Sequence, residues 1–114
     1  MARGAQQGPT GLIAWIEVAQ TGRVTEFRAM AAGGAPGAAE FALTAEVEGS
    51  GGRNRSRQGG TVHLDGSGAP KTLSRLGLGI GAGATVRVSV TVRGSDGTTS
   101  RAELVSTQGQ TTDL

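Results

Sequence analysis

Three stretches hold residue types whose spacing suits chemistry, and the sharpest is Arg53, Arg55 and Arg57 at every second position. On an extended backbone all three project to one face, about 7 Å apart. Like charges in such a row repel one another and call for an acidic partner. Glu46 and Glu48, just before the turn at Gly49–Gly52, can compensate them in part. The bland role for the row is edge protection, since charge on a sheet edge blocks aggregation. The functional role is a binding stripe for an acidic partner, and the two are compatible. The segment Gly51-Gly52-Arg53-Asn54-Arg55-Ser56-Arg57 is also similar to RNA-binding arginine–glycine segments. It lacks the interleaved aromatics that stack bases, so no nucleic-acid partner is expected.

The other two stretches carry less. His63-Leu64-Asp65 places an imidazole and a carboxylate on one side of an extended segment, which a serine hydrolase would need within hydrogen-bond reach. A single His beside a turn reads more simply as an exposed strand end. Gly79-Ile80-Gly81-Ala82-Gly83-Ala84 matches the spacing of a dinucleotide fingerprint. That fingerprint works where a strand runs into a helix, and here a β-branched strand follows instead. No carboxylate pair is placed for acid–base work. The chain has no Cys, which removes disulfides and thiolate metal sites. We therefore expect no enzyme, no cofactor and no metal.

The elements that position these residues are all extended. Thr85 to Arg93 is the organising one: Val86, Val88, Val90 and Val92 alternate with Arg87, Ser89, Thr91 and Arg93. Strict alternation of β-branched and polar residues marks a half-buried strand. Gly94-Ser95-Asp96-Gly97 then reads as a hairpin turn into a last strand, Thr98 to Val105. Arg23 to Met30 alternates as well, with Thr25, Phe27 and Ala29 on one face and Phe27 inward. Ala38 to Glu48 is the longest alternating run, with Phe41, Leu43, Ala45 and Val47 inward. A helix there would not bring Phe41, Leu43 and Val47 into one stripe with Ala45. Leu12 to Val18 is a strand with both faces largely apolar, and Trp15 is expected to cover one end of the core. Ala31–Gly37 is a loop, Thr61–Leu64 a short strand after Gly59-Gly60, and Lys71–Leu78 a further strand.

This pattern implies an all-β chain: an immunoglobulin-like antiparallel β-sandwich of seven or eight strands over residues 11–105. Residues 1–10 read as a disordered leader and 106–114 as a flexible tail. Among 114 residues, 21 are Gly, and Trp15, Phe27 and Phe41 are the only aromatics. The core must be built from Val, Leu, Ile and Ala. No run approaches a membrane span, so no membrane partner is expected. Net charge is +2, and ten of the eleven cations are Arg, so their placement matters more than their sum.

From Ser56 onward the order of features resembles the curli assembly chaperone and amyloid inhibitor family CsgC/CsgH. The residues carrying it are Ser56-Arg57-Gln58-Gly59-Gly60, Leu73-Ser74-Arg75-Leu76-Gly77-Leu78-Gly79-Ile80, Val86 to Val92, and Asp96-Gly97. It covers about the second half of the chain in sequence and all of it in strand pattern. It implies a small periplasmic immunoglobulin-like sandwich that keeps curli subunits from forming amyloid before secretion, and not an enzyme. One branch carries a Cys-x-Cys pair; this cysteine-free chain is closer to the CsgH branch, mostly alphaproteobacterial. The resemblance also implies a mature form from which a signal peptide is gone. The expected partner is an amyloidogenic curli-type subunit, acidic and rich in Gln, Asn, Gly and Ser, met by a monomer. The expected client-binding residues are Arg53, Arg55, Arg57, Gln58, Arg87 and Arg93. Contact is expected to be transient and electrostatically steered, because arginines discourage strand pairing at an edge. The rival from another class is a structural or adhesive immunoglobulin-like module of a surface protein; the hydrolase built on His63 is weaker still. Far-ultraviolet circular dichroism should show β-structure with negligible helix; a helical spectrum would overturn the strand assignments.

Overall fold

The computed structural model describes residues 11–107, apart from Arg23, Ile80 and Ala82. It contains seven strands: β1 (Ile13–Thr21), β2 (Val24–Ala32), β3 (Gly37–Gly49), β4 (Gly52–Leu64), β5 (Lys71–Gly79), β6 (Thr85–Arg93) and β7 (Thr99–Thr107). They form two antiparallel sheets, ordered β1-β2-β5 and β4-β3-β6-β7. This is the expected immunoglobulin-like sandwich, with seven strands. The expected leader and most of the expected tail, residues 108–114, lie outside the described residues; Ser106 and Thr107 continue β7.

The valine face of β6 makes the core. Val86, Val88, Val90 and Val92 are all fully buried, and they pack against Leu12, Phe27 and Leu43 and against small alanines such as Ala29, Ala39 and Ala45. The inward sides expected for β2 and β3 are the observed ones, with Phe41 and Val47 packed at the margin of the core. The hairpin after β6 is closed by Gly94 N–H donating to the Thr98 carbonyl (2.8 Å) and by Gly97 at φ 88°. Only Gly takes that backbone angle without strain.

Two expectations change. Trp15 does not cover the core. Leu12, Ala14 and Ile16 supply the inward face, and Trp15 lies on the outer face, where its Nε1–H donates to Glu17 Oε2 (3.0 Å). The indole has a polar handle to satisfy, and the outer face provides it. Secondly, Gly59-Gly60 does not interrupt the chain: β4 runs unbroken for 13 residues. Gly60 lies opposite Phe41, and a Cβ there would stand 3.2 Å from the Phe41 ring. The glycine gives that ring room without ending the strand.

Val90 is fully buried and Thr91 is exposed on the other face. Val90→Asp should therefore unfold the domain, since an unpaired buried charge costs several kcal/mol. Thr91→Asp should leave the melting temperature within a few degrees. Equal tolerance in thermal melts would reverse the assignment of faces.

Candidate functional site

The outer face of the four-stranded sheet gathers most of the expected site. Strand alternation sends Arg53, Arg55, Arg57 and His63 outward from β4, and Glu40, Glu46 and Glu48 from β3. It sends Arg87 and Arg93 outward from β6, and Arg101 and Glu103 from β7. Six arginines thus share one face with four glutamates. The opposite sheet's outer face is mixed, with Arg28 3.9 Å from both Glu17 and Glu26.

Compensation on the arginine face is uneven. Arg53 Nη2 donates to Glu48 Oε2 at 2.8 Å, Arg55 Nε lies 3.5 Å from Glu46 Oε2, and Arg87 Nη1 lies 3.2 Å from Glu103 Oε2. Arg57 faces Thr44 across the ladder and has no carboxylate within 4 Å among the described residues. Arg93 lies beside Glu40 in register without forming an ion pair, and Arg101 beside Thr91. The paired arginines stay well exposed, 67% for the Arg53 side chain and 64% for Arg55. A guanidinium has five N–H donors, so each keeps donors free for a second acceptor.

Gln58 stands apart from the other expected site residues. Adjacent strand residues point to opposite faces, so Gln58 turns inward while Arg57 turns out. It is half-buried and accepts a hydrogen bond from Ser74 Oγ, joining the edges of β4 and β5. Its observed role is to link the two sheets. Arg101 is the residue that sequence reasoning missed; the alternation of Thr99 to Thr107 already placed it on the wet face with Glu103. The face also carries a shallow groove of about 370 Å³ beside Arg93, lined by Ala38, Glu40, Thr61, Ser95 and Gly97.

The arrangements considered for catalysis do not assemble. His63 is exposed on β4, and the Asp65 carboxylate accepts the Ser67 N–H (2.9 Å) in a tight turn. The glycine run after β5 leads into β6 through a turn, with Ala84 N–H donating to the Gly81 carbonyl (3.1 Å). No group of three or more His, Cys, Asp or Glu side chains suited to a metal ion occurs among the described residues.

These features define an immunoglobulin-like β-sandwich whose distinguishing surface is an arginine-rich sheet face. The sequence model of the thin aggregative fimbriae synthesis protein family, Tafi-CsgC, matches residues 12–108, and the chain belongs to that family. The fold is similar to the solution structure of R. palustris CsgH, with a TM-score of 0.68 at 17% identity, covering 82% of this chain and 90% of that one. It is equally similar to the E. coli curli protein CsgC, with a TM-score of 0.67 at 19% identity, covering 81% and 96%. No match was found among curated proteins.

Three exposed carboxyls titrate below their usual range. Glu48 is held down by the hydrogen bond from Arg53 and then by its charge, Asp65 by Ser67, and Asp96 by the Thr98 N–H and hydroxyl. Groups with lowered folded-state pKa stabilise the fold above the ordinary carboxylate range of about 4, and lose that contribution as pH falls through the lowered values. Arg53→Gln should raise the Glu48 midpoint toward its ordinary value, read by NMR of the side-chain carboxyl. An unmoved midpoint would show that Arg53 is not its partner in solution.

Proposed function

We propose that the protein is a periplasmic chaperone that delays amyloid formation by curli-type subunits through transient, electrostatically steered contacts. The observation that carries this reading is the outer face of the four-stranded sheet, where, among the described residues, six arginines meet four glutamates and Arg57 has no carboxylate partner. Membership of the fimbriae synthesis family supports a role in that assembly, and the likeness to a curli protein supports curli-type subunits as the client. An acidic, unfolded client is drawn to such a face over a distance set by salt. Brief occupancy of its early species keeps its strands from stacking. On this reading the protein acts as a monomer and without a cofactor.

The test is thioflavin fluorescence of a curli subunit at low salt, with the wild type and with Arg53, Arg55 and Arg57 all replaced by Gln or all by Glu. Wild type should delay fibrils, the Gln variant should delay them little, and the Glu variant not at all. Glu at 53 and 55 would face Glu48 and Glu46, so the Glu variant will melt somewhat lower, and the Gln variant is the cleaner comparison. Exposed ion pairs contribute little to stability, so both should stay folded. Physiological salt should weaken the wild-type effect, because exposed charges are screened beyond about 8 Å. A Gln variant as effective as wild type would leave the arginines as edge protection alone.

A further inference from the structure

The four sheet edges are not alike. On one side of the sandwich β1 lies against β7, and the outward Ala14 N–H donates to Ser100 Oγ (3.0 Å). On the other side β5 carries a β-bulge at Leu73, opposite the Ala29–Met30 step, which blunts that edge. β4 has neither device. Its pairing with β3 is continuous from Gly52 to Leu64, and its one hydrogen bond to β5 among the described residues is between side chains, Gln58 and Ser74.

The register shows which main-chain groups of β4 are open. Bonded pairs alternate along an antiparallel ladder, and the pair flanking a two-residue turn is a bonded one. Counting from Gly49↔Gly52, the even-numbered residues of β4 bond to β3. The same parity follows from the far side of the sheet. Gly94 N–H bonds to Thr98 O, so Arg93 turns its main chain toward Glu40, and even-numbered β3 residues bond to β6. Arg53, Arg55, Arg57, Gly59, Thr61 and His63 therefore aim both N–H and C=O at the open edge. The residues that present cations on the face are the ones whose peptide groups are unpaired.

We infer that the open edge of β4 takes up an extended segment of a partner polypeptide with carboxylates at alternate positions. The added strand bonds to the peptides of Arg53, Arg55, Arg57, Gly59 and Thr61, and its carboxylates meet Arg53, Arg55 and Arg57 on the outer face. Charge selects the occupant. A second copy of β4 would set arginine against arginine and is rejected. Glu48 and Glu46 already hold Arg53 and Arg55 toward β3, so the barrier to an incoming strand is lower than three free cations would make it. Arg57 supplies the unmatched charge. On the inward side Asn54, Ser56 and Gln58 are polar, so alternate residues of the guest need not be apolar. This inference gives the proposed chaperone contact a geometry, and in that sense it rests on that reading.

The experiment uses the isotope-labelled whole chain and two synthetic peptides of equal composition. In one, glutamate and serine alternate; in the other, the glutamates form one block. The alternating peptide should slow amide exchange at Arg53, Arg55, Arg57, Gly59 and Thr61 and leave the even-numbered residues, already bonded, unchanged. The blocked peptide should bind more weakly and give no such alternation. Thr61→Pro removes one outward N–H without touching an arginine, at an edge position where Pro is tolerated. It should weaken the alternating peptide about tenfold, the effect of one lost hydrogen bond. Equal binding of both peptides, shifts centred on Arg87 and Arg101 with no edge protection, or no binding at all would overturn the inference. Fibril delay without edge protection would leave the chaperone reading standing and remove the edge from it. Edge protection without fibril delay would do the reverse.

Discussion

The structure depends on one packing constraint: four valines of a single central strand must meet a facing sheet whose inner side mixes one Phe and a few Leu and Ile with alanines. Val86, Val88, Val90 and Val92 are sealed from water, while Phe27 is the only fully buried aromatic. Alanines fill the gaps between Leu, Ile and Phe side chains, so the layer between the sheets is thin in places. Such a core tolerates little polar intrusion, and polar residues are driven to the outer faces or beyond the margins. The arginine face follows from this. With one side of every strand in the larger sheet committed to a thin apolar layer, charge collects on the other side in a regular lattice.

Within that lattice, local pairing decides what is left for a partner. Arg53 and Arg55 stand at non-bonded positions of the β3–β4 ladder, where opposed side chains come closest, and both find glutamates. Two residues further on the opposed residue is Thr44 instead of an acid. A single change of residue type along β3 therefore leaves Arg57 unmatched. The surface is a half-neutralised sheet: among the described residues Arg57, Arg93 and Arg101 stand outside its ion pairs, and Arg57 lies at its edge.

Much of this was legible in the sequence. The alternation in 85–93, 38–48 and 23–30 sets strands and faces together, because β-branched residues and period two point the same way. Trp15 was misread because Leu12-Ile13-Ala14-Trp15-Ile16 is apolar on both faces, and periodicity cannot choose between them. The glycine pair in β4 looked like a break because its reason, the Phe41 ring, lies on another strand. The inward side of Gln58 was legible too, since its neighbour Arg57 takes the opposite face. The pairing of Arg87 with Glu103 needed the β6–β7 register, which no local pattern supplies. The distinction between blunted and open edges likewise needed the sheet order.

The latch between Ala14 and Ser100 and the bulge at Leu73 have a consequence for valency. A sandwich with two usable edges can accept a strand on each flank and so act as a bridge in a growing array. A body with three edges blunted and one open accepts a strand on one flank only. Whatever pairs with it finds no further template beyond it, and a stack that reaches this protein has met a terminus.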